Sequence, residues 1–196
     1  MKELKMTMEY LIKNHPDIFT ILDAKRADIG NTNNGYITSI FDWLGFDAVT
    51  IHPYLGQEAV QPFLDRKEKG CIILCRTSNP GAPEFQDLKV SGAPIWEIVA
   101  RRVISDWNKN KNCMLVVGAT YPEEMKKIRS IADDITFLVP GIGAQGGDLK
   151  SAIKAGLNSE GLGLIINSSR DIIFAENPKE KARKLCEKIR EYKDIF

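Results

Sequence analysis

Short apolar runs alternate with amphipathic segments along all 196 residues, and this alternation constrains the chain more than any other feature. Runs at 19–24, 48–52, 71–75, 114–118, 136–139 and 163–166 read as strands, and the apolar run 18–22 at the first of them reads as buried. The segments at 33–44, 57–67, 95–108, 122–131 and 149–155 read as helices, with another at 4–13 before the first strand, and the longest irregular stretch, 77–94, is rich in Pro and Gly. Helix starts are marked locally. Thr120 and Glu123 have capping-box spacing with Pro122 in the first turn. Asn177, Pro178 and Glu180 open a last helix with Ala182, Leu185, Ile189 and Tyr192 on one face.

Strands alternating with helices imply a parallel sheet with right-handed crossovers, and nearly continuous apolar strands imply cover on both faces. An open doubly wound sheet and a (β/α)8 barrel both satisfy that pattern. Polar and glycine-rich residues follow six successive strands, which favours a barrel mouth, where every strand-to-helix loop reaches one pocket. A closed barrel needs eight strands, whereas this chain supplies six, so a strand, a helix and a strand are expected to be missing at the N-terminus.

A net charge of +1 gives no reason to expect a nucleic acid or acidic membrane partner, and no apolar run is long enough to span a bilayer. The charged N-terminus lacks a signal-peptide core. Cys71, Cys75, Cys113 and Cys186 match no zinc spacing, and with only His15 and His52 a metal cluster is not expected. Reduced thiols fit a cytoplasmic protein.

Four stretches can carry chemistry. Asp23, Lys25 and Asp28 crowd the end of the first strand; residues two apart share a strand face, so Asp23 and Lys25 project together with Asp28 just beyond. Opposite charges keep the ammonium protonated, and fixed charges can stabilise charge developing on a substrate. The glycine-rich stretch 139–148 joins a strand to a helix and reads as a phosphate cradle. Its Gly141, Gly143 and Gly146 spell a dinucleotide pattern, but late in the chain and with no second βαβ half after it. Arg170, in Asn167-Ser168-Ser169-Arg170 after the last strand, offers a guanidinium for the same phosphate. The hydroxyls and amides of Arg76-Thr77-Ser78-Asn79-Pro80-Gly81 suit the polar edge of a ring, and His52 reads as a strand-end histidine rather than a base.

Taken in order, Asp-Ala-Lys-Arg-Ala-Asp-Ile-Gly-Asn-Thr (23–32), Thr-Ile-His-Pro-Tyr-Leu-Gly (50–56), Arg-Thr-Ser-Asn-Pro-Gly (76–81), Val-Gly-Ala-Thr-Tyr-Pro-Glu (117–123) and Pro-Gly-Ile-Gly-Ala-Gln-Gly-Gly-Asp (140–148) resemble the bacterial-type branch of the orotidine 5′-phosphate decarboxylases. The resemblance implies a carbon–carbon lyase of pyrimidine biosynthesis with the (β/α)8 TIM-barrel fold, here with barrel strands three to eight. It implies a homodimer using neither metal nor organic cofactor. Lys25 would protonate C6 of the pyrimidine, beside Asp23. Asp28 and Thr32 would act in the partner's site, Ser78 would contact the pyrimidine, and Gln145 and Arg170 would bind phosphate.

The family also places an Asp on its first strand and a Lys on its second, and neither has a counterpart here. The expectation is one domain over 1–196, incomplete at its N-terminus, with weak or absent turnover and poor solubility. The competing readings are a related metal-dependent sugar-phosphate lyase or synthase and a non-catalytic nucleotide-binding remnant.

Overall fold

The computed structural model describes residues 1–143 and 145–196; Ala144 of the glycine-rich stretch lies outside the described residues. In chain order the elements are α1 (Lys2–Asn14), β1 (Ile21–Arg26), α2 (Gly30–Ile37), β2 (Ala48–Ile51), α3 (Gly56–Leu64) and β3 (Gly70–Arg76). Next come α4 (Pro83–Gln86), β4 (Lys89–Val90), β5 (Ala93–Pro94), α5 (Ile95–Arg102), β6 (Cys113–Val117) and α6 (Pro122–Ile131). The last are β7 (Phe137–Val139), α7 (Leu149–Gly156), β8 (Leu164–Ile166), α8 (Arg170–Ile173) and α9 (Pro178–Lys193). π-helical turns extend α2 through Thr38–Leu44 and α5 through Val103–Trp107.

The chain divides into two units. The first comprises Met1–Leu74 and Ser105–Met114. In it β1 pairs with β2 and β2 with β3, all parallel, and the Cys71 N–H reaches the Asn112 carbonyl at the start of β6 (2.9 Å). All four residues of β2 are buried, as are Phe63, Leu64, Ile72 and Ile73. Removing each Val, Leu, Ile or Phe side chain among them from water stabilises the fold by about 1.5–3 kcal/mol. Gly45, at φ 83°, ends the π-helical turn in the left-handed conformation that favours glycine.

The second unit comprises Cys75–Ile104 and Leu115–Phe196. Here the Gly118 N–H donates to the Arg76 carbonyl (2.7 Å), β6 pairs with β7, and β7 pairs with β8, again in parallel. Leu115, Val117, Met125, Ile128, Phe137 and Val139 form its core. The Asn177 side chain caps α9 by accepting the Glu180 N–H (3.0 Å), and Asp148 caps α7 through Ser151 (2.7 Å). Ala182, Leu185, Ile189 and Tyr192 are the half-buried face of α9, the face that their spacing predicts.

Six parallel strands alternating with helices are thus present among the described residues, each within two residues of its expected bounds. Three local expectations fail. Ile18 and Phe19 are 53% and 51% exposed rather than buried, and β1 itself is only partly covered, because among the described residues its ladder has one neighbour, β2. The Thr120–Glu123 capping box does not form: the Thr120 hydroxyl donates instead to the Ser78 carbonyl (3.3 Å), and Tyr121 opens α6 without a side-chain cap. The stretch 77–94, expected to be irregular, contains α4 and the β4–β5 hairpin. Ser91 (φ 52°) and Gly92 (φ 84°) form its two-residue turn, with the two positive φ values that strand twist favours in tight hairpins.

Candidate active site

In the first unit, Asp23, Lys25 and Thr50 make a closed ring of hydrogen bonds. Lys25 Nζ donates to Asp23 Oδ1 (2.7 Å), the Thr50 hydroxyl donates to the same oxygen (2.8 Å), and the Lys25 backbone N–H donates to Thr50 Oγ1 (2.9 Å). Asp23 and Lys25 do meet, but regular strand alternation is not the cause. Register shifts between the Leu22–Val49 and Arg26–Ile51 pairs, and Lys25 has φ 48°, a left-handed conformation that costs an L residue about 1–2 kcal/mol.

Asp28 is held by separate bonds. Its N–H donates to Asn33 Oδ1 (2.8 Å), its carbonyl accepts from Asn33 Nδ2, and its carboxylate accepts the Ile29 N–H (2.7 Å). Asn33 is fully buried and also donates to the Ala59 carbonyl, so it ties the start of α2 to α3. Thr32 is exposed in the first turn of α2. His52 Nε2 lies 3.1 Å from the Ala27 carbonyl, a strand-end histidine as expected.

In the second unit the loops after β3, β6, β7 and β8 provide the polar groups. The Ser78 hydroxyl donates to Gln145 Oε1 (2.6 Å). That approach depends on Gly118, where a Cβ would lie 2.7–2.8 Å from Ser78 backbone and Cβ atoms, and on Gly141, which has φ 97°. Gln145 and Arg170 line a cavity of ≈ 70 Å³ together with Gly141, Asn167, Ser168 and Ser169. Backbone N–H groups, an amide and a guanidinium around a small cavity are the donors that a phosphate requires. Arg76, next to these loops in sequence, is buried and bonds to Gln86 Oε1 (3.3 Å) and Asp87 (3.4 Å), with its guanidinium 3.6 Å from the Tyr121 ring centroid. It braces the loop and is committed there.

Two residues of the first unit that hold Asp23, Lys25 and Asp28 carried no assigned role in the sequence: Thr50 and Asn33. For Thr50 a signal exists, since it is the one polar residue of β2 and falls two positions before His52, on the same strand face. Asn33 has no such signature. Among the described residues no three His, Cys, Asp or Glu side chains are grouped to hold a metal ion. Cys71, Cys75 and Cys113 are buried free thiols; burial pushes Cys75 and Cys113 up to about 12 and Cys71 higher still. Among the described residues no helix is long and apolar enough to cross a membrane.

The model of the orotidine 5′-phosphate decarboxylase / HUMPS family matches residues 3–185. The chain is 48% identical over 180 residues to the orotidine 5′-phosphate decarboxylase of Cellvibrio japonicus, covering 92% of this chain and 66% of that protein. It is 47% identical over 174 residues to that of Janthinobacterium, covering 89% and 64%. It therefore spans a little under two thirds of the length of these relatives. Among solved structures, the Leishmania donovani OMP decarboxylase superposes with a TM-score of 0.90 at 40% identity, over 96% of this chain and 74% of that one. An orotidine 5′-monophosphate decarboxylase from Methanocaldococcus jannaschii complexed with inhibitor BMP superposes at 0.77 with 26% identity, over 94% and 79%. The parallel α/β fold is accordingly that of the TIM-barrel decarboxylases. With a family model reaching over almost the whole chain and relatives this similar to it, the chain belongs to the orotidine 5′-phosphate decarboxylase / HUMPS family.

Proposed function

We propose that the chain is a decarboxylase that converts orotidine 5′-phosphate to UMP, and that Lys25 is its proton donor. The observation that carries this reading is the Lys25–Asp23 contact of 2.7 Å on a left-handed lysine at the end of β1. Backbone strain kept beside a charge pair is a mark of a functional site. The carboxylate on C6 leaves as carbon dioxide, its bonding electrons stay on C6, and an ammonium N–H of Lys25 delivers the proton there. A fixed ammonium stabilises the carbanion before it transfers the proton. Ser78 is assigned to the pyrimidine, and Gln145 and Arg170 to the 5′-phosphate. Phosphate binding far from the reacting carbon supplies binding energy that positions it. Asp28 and Thr32 are assigned to the partner's site in a homodimer, and the enzyme to the cytoplasm. The domain is proposed to be a single barrel unit over 1–196.

The test is conversion of orotidine 5′-phosphate to UMP by the chain and by Lys25→Ala, read as the fall in pyrimidine absorbance, beside calorimetry with UMP. Turnover abolished by Lys25→Ala supports the assignment, at whatever rate the chain works. Turnover that survives Lys25→Ala overturns the role of Lys25. UMP binding with no Lys25-dependent turnover overturns the decarboxylase reading in favour of a nucleotide-binding protein.

A further inference from the structure

We propose that Thr50 is a positioning residue for Lys25, holding the ammonium where the proton transfer needs it. The inference rests on the reading of Lys25 and Asp23 as the reacting pair. The ion pair cannot hold the geometry alone. Its side chains are 51% and 61% exposed, and an ion pair so exposed contributes about 0–1 kcal/mol, less than the left-handed backbone of Lys25 costs.

Thr50 supplies what the pair lacks. It is 0% exposed in an otherwise apolar strand, and a buried hydroxyl has to be hydrogen-bonded. Its one proton goes to Asp23 Oδ1 (2.8 Å), and its oxygen accepts the Lys25 N–H (2.9 Å). A single side chain thus fixes both the carboxylate that orients the ammonium and the backbone from which the ammonium extends. β-Branching restricts its χ1, so the hydroxyl is preset. The anchor stands on β2, whose four residues are buried, while the reacting pair stands on the partly covered β1.

Thr50→Val keeps the shape and deletes the hydroxyl, whereas Thr50→Ser keeps the hydroxyl. In the 196-residue chain, amide hydrogen exchange at Lys25 should speed up about tenfold or more in Thr50→Val, the worth of a hydrogen bond tied to a charged group. Ile72 and Ile73 amides in β3 should keep their rates. Acetylation of the Lys25 amine, read by mass spectrometry against other lysines, should rise in Thr50→Val. Thr50→Ser should restore both readouts. If the chain turns over orotidine 5′-phosphate, kcat should fall about tenfold in Thr50→Val with UMP affinity unchanged, on the same hydrogen-bond estimate.

Exchange and acetylation need no turnover, so an inactive chain defeats the decarboxylase reading and leaves Thr50 to be judged by them. Unchanged Lys25 exchange in Thr50→Val, or a Thr50→Ser no better than Thr50→Val, overturns the proposal. Should Thr50→Val not fold, the unsubstituted chain decides. Lys25 amide protection supports the anchor, and exchange at the free-peptide rate refutes it.

Discussion

Arg129 ties together the helix-to-strand turns that lead into β7 and β8, and its replacement can be worked through quantitatively. It is 6% exposed near the end of α6, with its guanidinium 3.7 Å from the Phe137 ring centroid. Nε donates to the Gly156 carbonyl (2.7 Å), Nη1 to those of Ala132 (2.8 Å), Asp133 (2.9 Å) and Ile135 (2.7 Å), and Nη2 to Gly163 (3.0 Å). It thereby ties the ends of α6 and α7 to the residue before β8. Burial pushes the guanidinium down to about 10, with Asp133 opposing that, so it stays charged at neutral pH.

Arg129→Met fills the apolar part of the space and supplies no donors. The bonds to Gly156 and Ile135 are fully buried, so water does not replace them, whereas the Ala132 carbonyl keeps the Ile135 N–H (3.2 Å). At about 1–3 kcal/mol for each buried group left unsatisfied, less the relief of no longer burying a charge, the expected loss is about 3–5 kcal/mol. Urea unfolding with a slope of about 2 kcal/mol/M should then show a midpoint lower by about 1.5–2.5 M. Arg129→Lys, with three donors on one nitrogen, should recover part of that loss. A midpoint shift below about 0.5 M for Arg129→Met would refute the reasoning, because the carbonyls would then be satisfied without the guanidinium.

Glu97 predicts a pH dependence. Its buried carboxylate sits 2.6 Å from Lys127 and 2.7 Å from Arg101, and those bonds, Lys127 first, hold it below the usual carboxylate range. A depressed carboxylate stabilises the fold above its unfolded value and stops doing so as pH falls through its folded value. Stability should therefore decline below about pH 4.5, and Glu97→Gln should flatten that acid limb while lowering the midpoint at pH 7. Equal acid slopes in the two proteins would contradict this. At Gly118, alanine would press a Cβ to 2.7–2.8 Å of Ser78, where backbone has to yield. Gly118→Ala should cost about 1–3 kcal/mol and weaken UMP binding in calorimetry. Unchanged affinity would show that the position of Ser78 does not matter for the ligand.

Much of this was legible in the residues because periodicity survives in sequence. The apolar runs at Ala48–Ile51 and Cys113–Val117 are buried on both faces, and the face of α9 matches its 3.6-residue spacing. What escaped depends on contacts distant in sequence. Thr120 has the right spacing for a cap, but its hydroxyl is taken by Ser78, 42 residues away. The β4–β5 hairpin is two residues long on each side, too short for any period. Ile18 and Phe19 are apolar but exposed, since hydrophobicity alone does not place a run inside a ladder. At the candidate site the charged residues were visible as types, while the left-handed backbone of Lys25 and the buried Asn33 clamp arise only when β1 meets β2 and α2 meets α3.

The register of β1 carries a consequence of its own. From Leu22 to Arg26 the chain advances four residues while its partner advances only two, from Val49 to Ile51. That surplus of backbone is where Asp23 and Lys25 are found. The placement of the Asp23–Lys25 pair is therefore encoded in length as much as in identity. Removing Ala24 would leave every charged group present, yet it would shorten the surplus and turn Asp23 and Lys25 into adjacent residues facing opposite ways. A one-residue deletion of the kind surface loops absorb freely would here dismantle the pair without altering either member.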